Sequence, residues 1–280
     1  MFKESVKVGI IGGTGQMGKL FRRFFEKNNC EVLVSSRKTN LKPKDCARQS
    51  DVVMVSVPID VTVSVIKKIG SYINKNSLLI DTTSIKKEPV KTMLQYAKCE
   101  VIGMHPMFGP NVSSFKNQTI ILCPARTKRW LKWIIEIFEK NDAKIKIITP
   151  EKHDKIMSII QGLNHFSTLT VAHAMKSLGK NFEEIKEYTS QIYNLRMMMI
   201  ARILNQDHGL YANIEIKNPN NKRTITVYLN SAKKLQKIIE EKNSKAFVRY
   251  FKESAEYFKN FKKDAERVTD YLIEQMVKRK

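Results

Sequence analysis

The sequence predicts an α/β fold: a doubly wound, mostly parallel sheet over residues 1–150, followed by an all-helical domain over residues 151–280. Three observations carry this. Short apolar runs alternate with amphipathic helical stretches through the first half. The first apolar run passes directly into a glycine-rich turn. After Thr149-Pro150 the strand signals fade, and only apolar residues at three-to-four spacing remain.

Val6, Val8, Ile10 and Ile11 form the first strand, and Gly13-Thr14-Gly15-Gln16-Met17-Gly18 supplies the spacing G-x-G-x-x-G. In such a turn the first glycine permits the reversal. The second lets a pyrophosphate approach the backbone, and the third lets the following helix pack on the strand. That helix, Gln16 to Lys27, has the stripe Met17, Leu20, Phe21, Phe24, Phe25 and offers its amino-terminal N–H groups to phosphate. A Rossmann-type dinucleotide-binding domain is therefore expected, held to its cofactor by Gly13, Gly15, Gln16, Met17 and Gly18. The second strand, Glu31 to Ser36, ends where an NAD enzyme places a ribose-binding acid, yet the chain reads Ser35-Ser36-Arg37-Lys38-Thr39. Hydroxyls followed by two cations favour a 2′-phosphate, so Ser36, Arg37 and Lys38 predict NADP over NAD, with NAD still possible.

The pattern continues with strand Asp51–Val57, helix Val61–Ile69, strand Ser77–Asp81, helix Glu88–Tyr96 and strand Glu100–Met104. Strand Thr119–Cys123, helix Lys128–Lys140 and strand Lys144–Ile148 complete the sheet, with ligands expected at the carboxyl ends of its strands. Helices are expected at 151–176, 183–206, 223–242 and 244–277. In the last, Phe247, Tyr250, Phe251, Ala255, Phe258, Phe261 and Val268 form an apolar stripe expected to be core, with a possible share in a subunit interface.

Composition narrows the function. The net charge is +23, but it is spread: residues 1–150 carry 26 Lys+Arg against 12 Asp+Glu, and residues 151–280 carry 24 against 15. No basic arm, recognition helix or aromatic-interleaved RNA motif stands out, so nucleic acid is not the expected partner, although anionic substrates would be attracted. Cys30, Cys46, Cys99 and Cys123 are too scattered for a zinc site or a disulfide framework, and no metal is expected. Charges at Lys3, Glu4 and Lys7 interrupt any secretory segment, and no apolar run is long enough to span a membrane. A cytoplasmic protein is expected.

Three groups fall at strand ends: Ser56-Val57-Pro58-Ile59, Asp81-Thr82-Thr83-Ser84-Ile85-Lys86 and the proline-bounded loop Gly103-Met104-His105-Pro106-Met107-Phe108-Gly109-Pro110. Val57 and Pro58 are expected beside the cofactor. His105, at a parallel strand end in a rigid loop, is a candidate catalyst.

GGTGQMG, VSVPI, DTTSIK, GMHPMFGP, EKHDKIMSIIQGLNHFSTL and IYNLRMMMIARILNQDHGLYANI together resemble prephenate dehydrogenase, in order and over essentially the whole chain. The likeness is to the dehydrogenase module of the bifunctional chorismate mutase–prephenate dehydrogenase, without mutase helix or regulatory ACT domain. HPMFGP is the most specific of these motifs. The resemblance implies oxidative decarboxylation of prephenate to 4-hydroxyphenylpyruvate in tyrosine biosynthesis, with hydride passing to a nicotinamide. It makes His105 the group that accepts the hydroxyl proton, a task suited to neutral imidazole near its own pKa. It implies that Ser84 bridges substrate and histidine, that Arg202 binds the ring carboxylate, and that Gln161, His165 and Tyr211 line the substrate pocket. A guanidinium within the apolar run MMMIARIL would be costly without a partner, which also favours Arg202 as a carboxylate ligand. The chain departs from the family where Asn194 replaces a second arginine, and Arg196 does not fill that place. His153, His173 and His208 have no role under the resemblance and are expected to be structural or at the surface. A homodimer through the helical domain is expected. The alternatives are arogenate dehydrogenase, another NADP oxidoreductase of 6-phosphogluconate or F420 type, and a non-catalytic nucleotide-sensing or nucleic-acid-binding module.

Overall fold

The computed structural model describes residues 5–278; Lys3 and Glu4 lie outside them. The chain divides into two compact units. The first comprises residues up to Ser158 together with Ala212–Pro219, and the second comprises Ile159–Tyr211 and the residues from Asn220 onward.

The first unit contains a seven-stranded sheet in the order β2-β1-β3-β4-β5-β6-β7. Along the chain run β1 (Lys7–Ile11), α1 (Gln16–Lys27), β2 (Glu31–Ser35), α2 (Pro43–Gln49), β3 (Val52–Val55), α3 (Ile59–Ile69) and β4 (Leu78–Asp81). They are followed by α4 (Lys87–Tyr96), β5 (Glu100–Pro106), β6 (Thr119–Arg126), α5 (Trp130–Glu139), β7 (Lys144–Ile147) and α6 (Pro150–Met157). The first five strands are mutually parallel, as the alternation predicts; β6 pairs antiparallel to β5 and parallel to β7. The chain turns back after His105-Pro106 without a crossover helix, so no right-handed βαβ unit can form there.

Side chains alternate between the sheet's faces and meet two separate layers of helices. On one face Val8, Ile10, Val52, Met54, Ile80 and Met104 pack with Phe21, Phe24 and Phe25 of α1 and with Trp130, Ile134 and Phe138 of α5. On the other, Ile11, Val53, Val55, Leu79 and Val101 pack with Cys46 of α2, Ile66 and Ile69 of α3, and Val90 and Met93 of α4. Helix α1 lies flat because its apolar positions recur at helical spacing; Phe24 stacks on Phe115 with ring centroids 4.3 Å apart. Truncating one such buried ring costs about 3–5 kcal/mol.

The expected break at residue 150 moves to Ser158. Helix α6 starts at the expected place, capped by the Thr149 side chain with Pro150 in its first turn. It nevertheless belongs to the first unit, because His153 and Asp154 are buried there and bonded to groups of β5 and α4. Residues 212–219 also return to this unit: Ile214 clusters with Ile59 and Ile85, and the Asn218 amide donates to the Asp154 carbonyl.

Among its described residues the second unit holds helices and no strand: α7 (Asn164–Ser177), α8 (Phe182–Glu187), α9 (Gln191–Leu204), the start of α10 (His208–Lys217), α11 (Asn221–Glu240), α12 (Ser244–Phe258) and α13 (Phe261–Val277). A π-helical turn, Ser158–Leu163, interrupts the predicted first long helix, and Lys259 at φ +44° divides the predicted last one. The apolar stripe of that last segment is not core in the single chain: Phe251 and Phe261 are 66% and 64% exposed. No helix of the described residues is long and apolar enough to cross a membrane.

Candidate active site

The glycine-rich turn begins one residue earlier than the motif suggests. Gly12 has φ +89°, a region side chains disfavour, and a Cβ there would lie 2.1 Å from the Ser56 carbonyl oxygen. Gly12, not Gly13, therefore makes the reversal, and its N–H donates to the Ser35 carbonyl at 2.7 Å. The doubled glycine at the strand end was the available signal. Gly18 packs as expected, since a Cβ would fall 2.5 Å from the Gly12 oxygen. Gly15 differs: a Cβ there would meet only the Gly12 oxygen, at 3.3 Å, so the space above it is open. Helix α1 starts behind Gly15 with no side-chain cap, leaving the first-turn amides of Gln16, Met17 and Gly18 for a ligand. This cradle fits a dinucleotide pyrophosphate. Val57 abuts Gly12, and Pro58 opens α3. At the end of β2 the Thr39 hydroxyl accepts from the Ser36 N–H, and the Ser36 hydroxyl accepts from the Lys38 N–H. Ser36 is half-buried, while Arg37 and Lys38 are exposed and, among the described residues, form no ion pair.

A buried polar chain lies at the carboxyl ends of β4 and β5. His105 Nδ1 is 2.8 Å from His153 Nε2, and His153 Nδ1 is 2.8 Å from Asp154 Oδ1. The same carboxylate accepts from the backbone N–H groups of Lys86 and Lys87 at 2.8 and 3.0 Å, so it caps α4, which has no side-chain cap of its own. Lys86 is fully buried; its ammonium donates to Asp81 Oδ2 and to the Met104 carbonyl. Asp81 Oδ2 also accepts from the N–H and hydroxyl of Thr83, while its Oδ1 is buried without a hydrogen-bond partner.

This surrounding sets the charge of the imidazoles. Burial first, then the charges of His153 and Lys86, hold His105 well below the ordinary value of 6.5. Burial also lowers His153, against the opposing pull of Asp154. His105 is thus a neutral acceptor across the physiological range, further from its ordinary value than the sequence suggested. His153, expected to be structural or at the surface, is buried, and His105 rests against it; the adjacent pair His153-Asp154 in EKHDKIM was the available signal for this contact. His173 and His208 are exposed. Ser84 is half-buried in the loop between Asp81 and Lys86, with no side-chain hydrogen bond among the described residues.

In the second unit, Gln161 lies in the π-helical turn with a buried Oε1 that has no hydrogen-bond partner. The His165 and Tyr211 rings lie 4.5 Å apart. Burial raises the Tyr211 phenol, and the positive charge of Arg202 pulls it down. Arg202 itself is exposed, because α9 buries only Met197 in the single chain. The guanidinium is not trapped in an apolar interior, so the cost of burying an unpaired charge lends no support to its role. Arg196 is exposed as well.

A glycine turn feeding an uncapped helix defines a dinucleotide-binding domain, and a buried histidine lies at the end of another strand of the same sheet. The family model described as prephenate dehydrogenase, nucleotide-binding domain, matches residues 28–147, and that described as prephenate dehydrogenase, dimerization domain, matches residues 149–253. The chain belongs to the prephenate dehydrogenase family, whose members are NAD(P)-dependent oxidoreductases. A probable arogenate/prephenate dehydrogenase of Methanocaldococcus jannaschii is 35% identical over 277 residues, covering 92% of this chain and 62% of the relative. This chain thus spans less than two thirds of that protein's length. The T-protein of Haemophilus influenzae is 30% identical over 269 residues, covering 96% of this chain and 71% of its own. The crystal structure of Aquifex aeolicus prephenate dehydrogenase with hydroxyphenyl propionate and NAD+ shares the fold, with TM-score 0.75 at 18% identity over 91% of this chain and 98% of that one.

Proposed function

We propose that the chain oxidatively decarboxylates prephenate to 4-hydroxyphenylpyruvate, preferring NADP to NAD. The observation that carries this reading is His105: buried, held neutral, and turned so that Nδ1 meets His153 while Nε2 stays available. When bound, the nicotinamide supplies the hydride acceptor. His105 Nε2 accepts the hydrogen bond of the ring hydroxyl as hydride leaves the same carbon, and holds its proton. The ring carboxylate departs as CO2, its bonding pair makes the ring aromatic, and His105 returns the proton to the phenol oxygen. Ser84 donates to the substrate hydroxyl and keeps it aligned with His105. Arg202 pairs with the ring carboxylate, and Gln161, His165 and Tyr211 contact the substrate; the unpartnered buried Oε1 of Gln161 supports its place among them.

Gly13, Gly15 and Gly18 shape the pyrophosphate cradle, and the amides of Gln16 and Met17 donate to it. Val57 and Pro58 border the cofactor. The free cations Arg37 and Lys38, with the Ser36 hydroxyl, support preference for a 2′-phosphate. Apolar side chains exposed on α9, α12 and α13 support a homodimer, which sedimentation would test. The four free thiols suit a reducing cytoplasm.

The deciding experiment is an absorbance assay crossing prephenate and arogenate with NAD and NADP; arogenate is included because the Methanocaldococcus relative carries both names. Prephenate with NADP is expected to give the highest kcat/KM. No turnover of either substrate would refute the reading.

A further inference from the structure

We propose that His153 and Asp154 form a positioning relay that fixes the tautomer of His105 and leaves its Nε2 unprotonated toward substrate. Asp154 is acceptor-only when ionised, and its oxygens already receive the amides of Lys86 and Lys87. The remaining group at hydrogen-bond distance, His153 Nδ1 at 2.8 Å, must therefore carry a proton and donate it. In a neutral imidazole that leaves His153 Nε2 as a lone pair. His105 Nδ1, 2.8 Å away, must then be the donor, and its Nε2 the free base. The opposite arrangement would set the His153 Nδ1 lone pair against a carboxylate oxygen.

The groups around the relay allow no easier solution. Lys86 from the β4–α4 connection places its charge near both imidazoles and disfavours doubly protonated forms, while Asp81 takes up the Lys86 ammonium. Asp154 cannot drift, because the first amides of α4 hold it. Both rings are buried, at 4% and 0% exposure, so water does not compete for their inner nitrogens. A histidine whose tautomer is set by a second residue, itself set by a carboxylate, follows the logic of a serine-protease triad, where the wrong tautomer lowers turnover by about 10⁴. Here an imidazole is inserted between carboxylate and base, which carries the orientation across the gap from α6 to β5. His153 and Asp154 are positioning residues: they act on substrate only through His105.

The inference rests on His105 being the base, and the test separates the two. Ring-15N spectra of histidine-labelled protein, with five histidines to resolve and His105→Asn to identify one, report tautomers directly. The parent should show His105 protonated at Nδ1 and bare at Nε2. His153→Phe, which keeps a ring but offers no acceptor, should lower kcat by roughly 30-fold, somewhat less than the factor of about 10²–10⁴ ascribed to the general base itself, because His153 acts only through it. The KM for NADP should stay within about threefold. His153→Gln, whose carbonyl can accept from Nδ1–H, should recover about tenfold of that loss. A proton on Nε2 of parent His105, or equal activity of the Phe and Gln variants, overturns the relay. An inactive parent enzyme would refute the functional reading alone, because the spectrum still decides the tautomer.

Discussion

Burying two neutral histidines makes the stability of this chain depend on pH, in a direction that can be worked out. His105 is held well below its ordinary 6.5 by burial, so below pH 6.5 the unfolded chain binds a proton that the folded chain refuses. Stability rises with pH wherever the unfolded state binds more protons; it is therefore lost as pH falls through 6.5 toward the lowered folded value. Integrating that linkage for one such group between pH 6.5 and 5.5 gives about 1 kcal/mol. His153 is lowered too and adds a loss of the same sign. The window lies above the titration of unfolded carboxylates, near about 4, so histidines dominate it. Urea unfolding of the parent and of His105→Asn, at half-unit steps from pH 7 to 5.5, isolates the contribution. The asparagine variant lacks the group, so the stability difference between the two proteins should change by about 1 kcal/mol across the window. A difference constant with pH would refute the claim that His105 is folded neutral.

Further outcomes follow from the same geometry. Gly12→Ala, with a Cβ 2.1 Å from the Ser56 oxygen and φ at +89°, should destabilise the protein by at least about 1–3 kcal/mol in urea unfolding. Gly15→Ala, where the nearest atom is at 3.3 Å, should leave stability nearly intact and instead weaken cofactor binding, measured by fluorescence titration. Ser36→Asp with Arg37→Ala should reverse an NADP preference of about tenfold in kcat/KM, since a carboxylate accepts from a ribose hydroxyl and repels a phosphate. His105→Asn should lower kcat by about 10²–10⁴ with cofactor affinity unchanged. The acid limb of the parent profile should lie below pH 6.5, because the base is lost only as pH falls through its lowered value. Arg202→Ala should weaken prephenate binding roughly tenfold or more, as a charged hydrogen bond contributes about 1.5–3 kcal/mol, while Arg196→Ala should change it little.

Periodicity made the sheet legible because its strands are short apolar runs cut by glycine, proline and charge; Val52–Val55 and Leu78–Asp81 fall where the pattern places them. Helix α2 went unread, since Pro43–Gln49 buries only Cys46 and Ala47 and so shows almost no stripe. In the second unit spacing predicted helices but not their breaks: the π-helical turn at Ser158–Leu163 and the reversal at Lys259 have no apolar signature. Exposure of Phe251 and Arg202 was illegible for another reason. A stripe reports that a face is apolar, not whether the same chain covers it. At the site, residues at the ends of consecutive strands could be named from sequence, because the sheet brings them together. His153 reaches His105 from 48 residues away along the chain, and although the adjacent His153-Asp154 pair is visible in the sequence, nothing in its pattern says which strand it meets.

That long reach bears on how such proteins can be recombined. The nucleotide-binding match ends at residue 147, and His153 and Asp154 fall within the match that begins at 149. The base is thus encoded in one segment and the groups that orient it in the next. A chimera joined at this seam would carry every glycine of the cradle and His105 itself, yet would depend on its donor for the imidazole and carboxylate behind the base. Joints placed after Ser158 keep the chain His105–His153–Asp154 in one parental sequence, and with it the cap on α4. Residues 212–219 return to the same unit from beyond the second break, with Ile214 against Ile59 and Ile85 and Asn218 on the Asp154 carbonyl, and would have to come from the same parent.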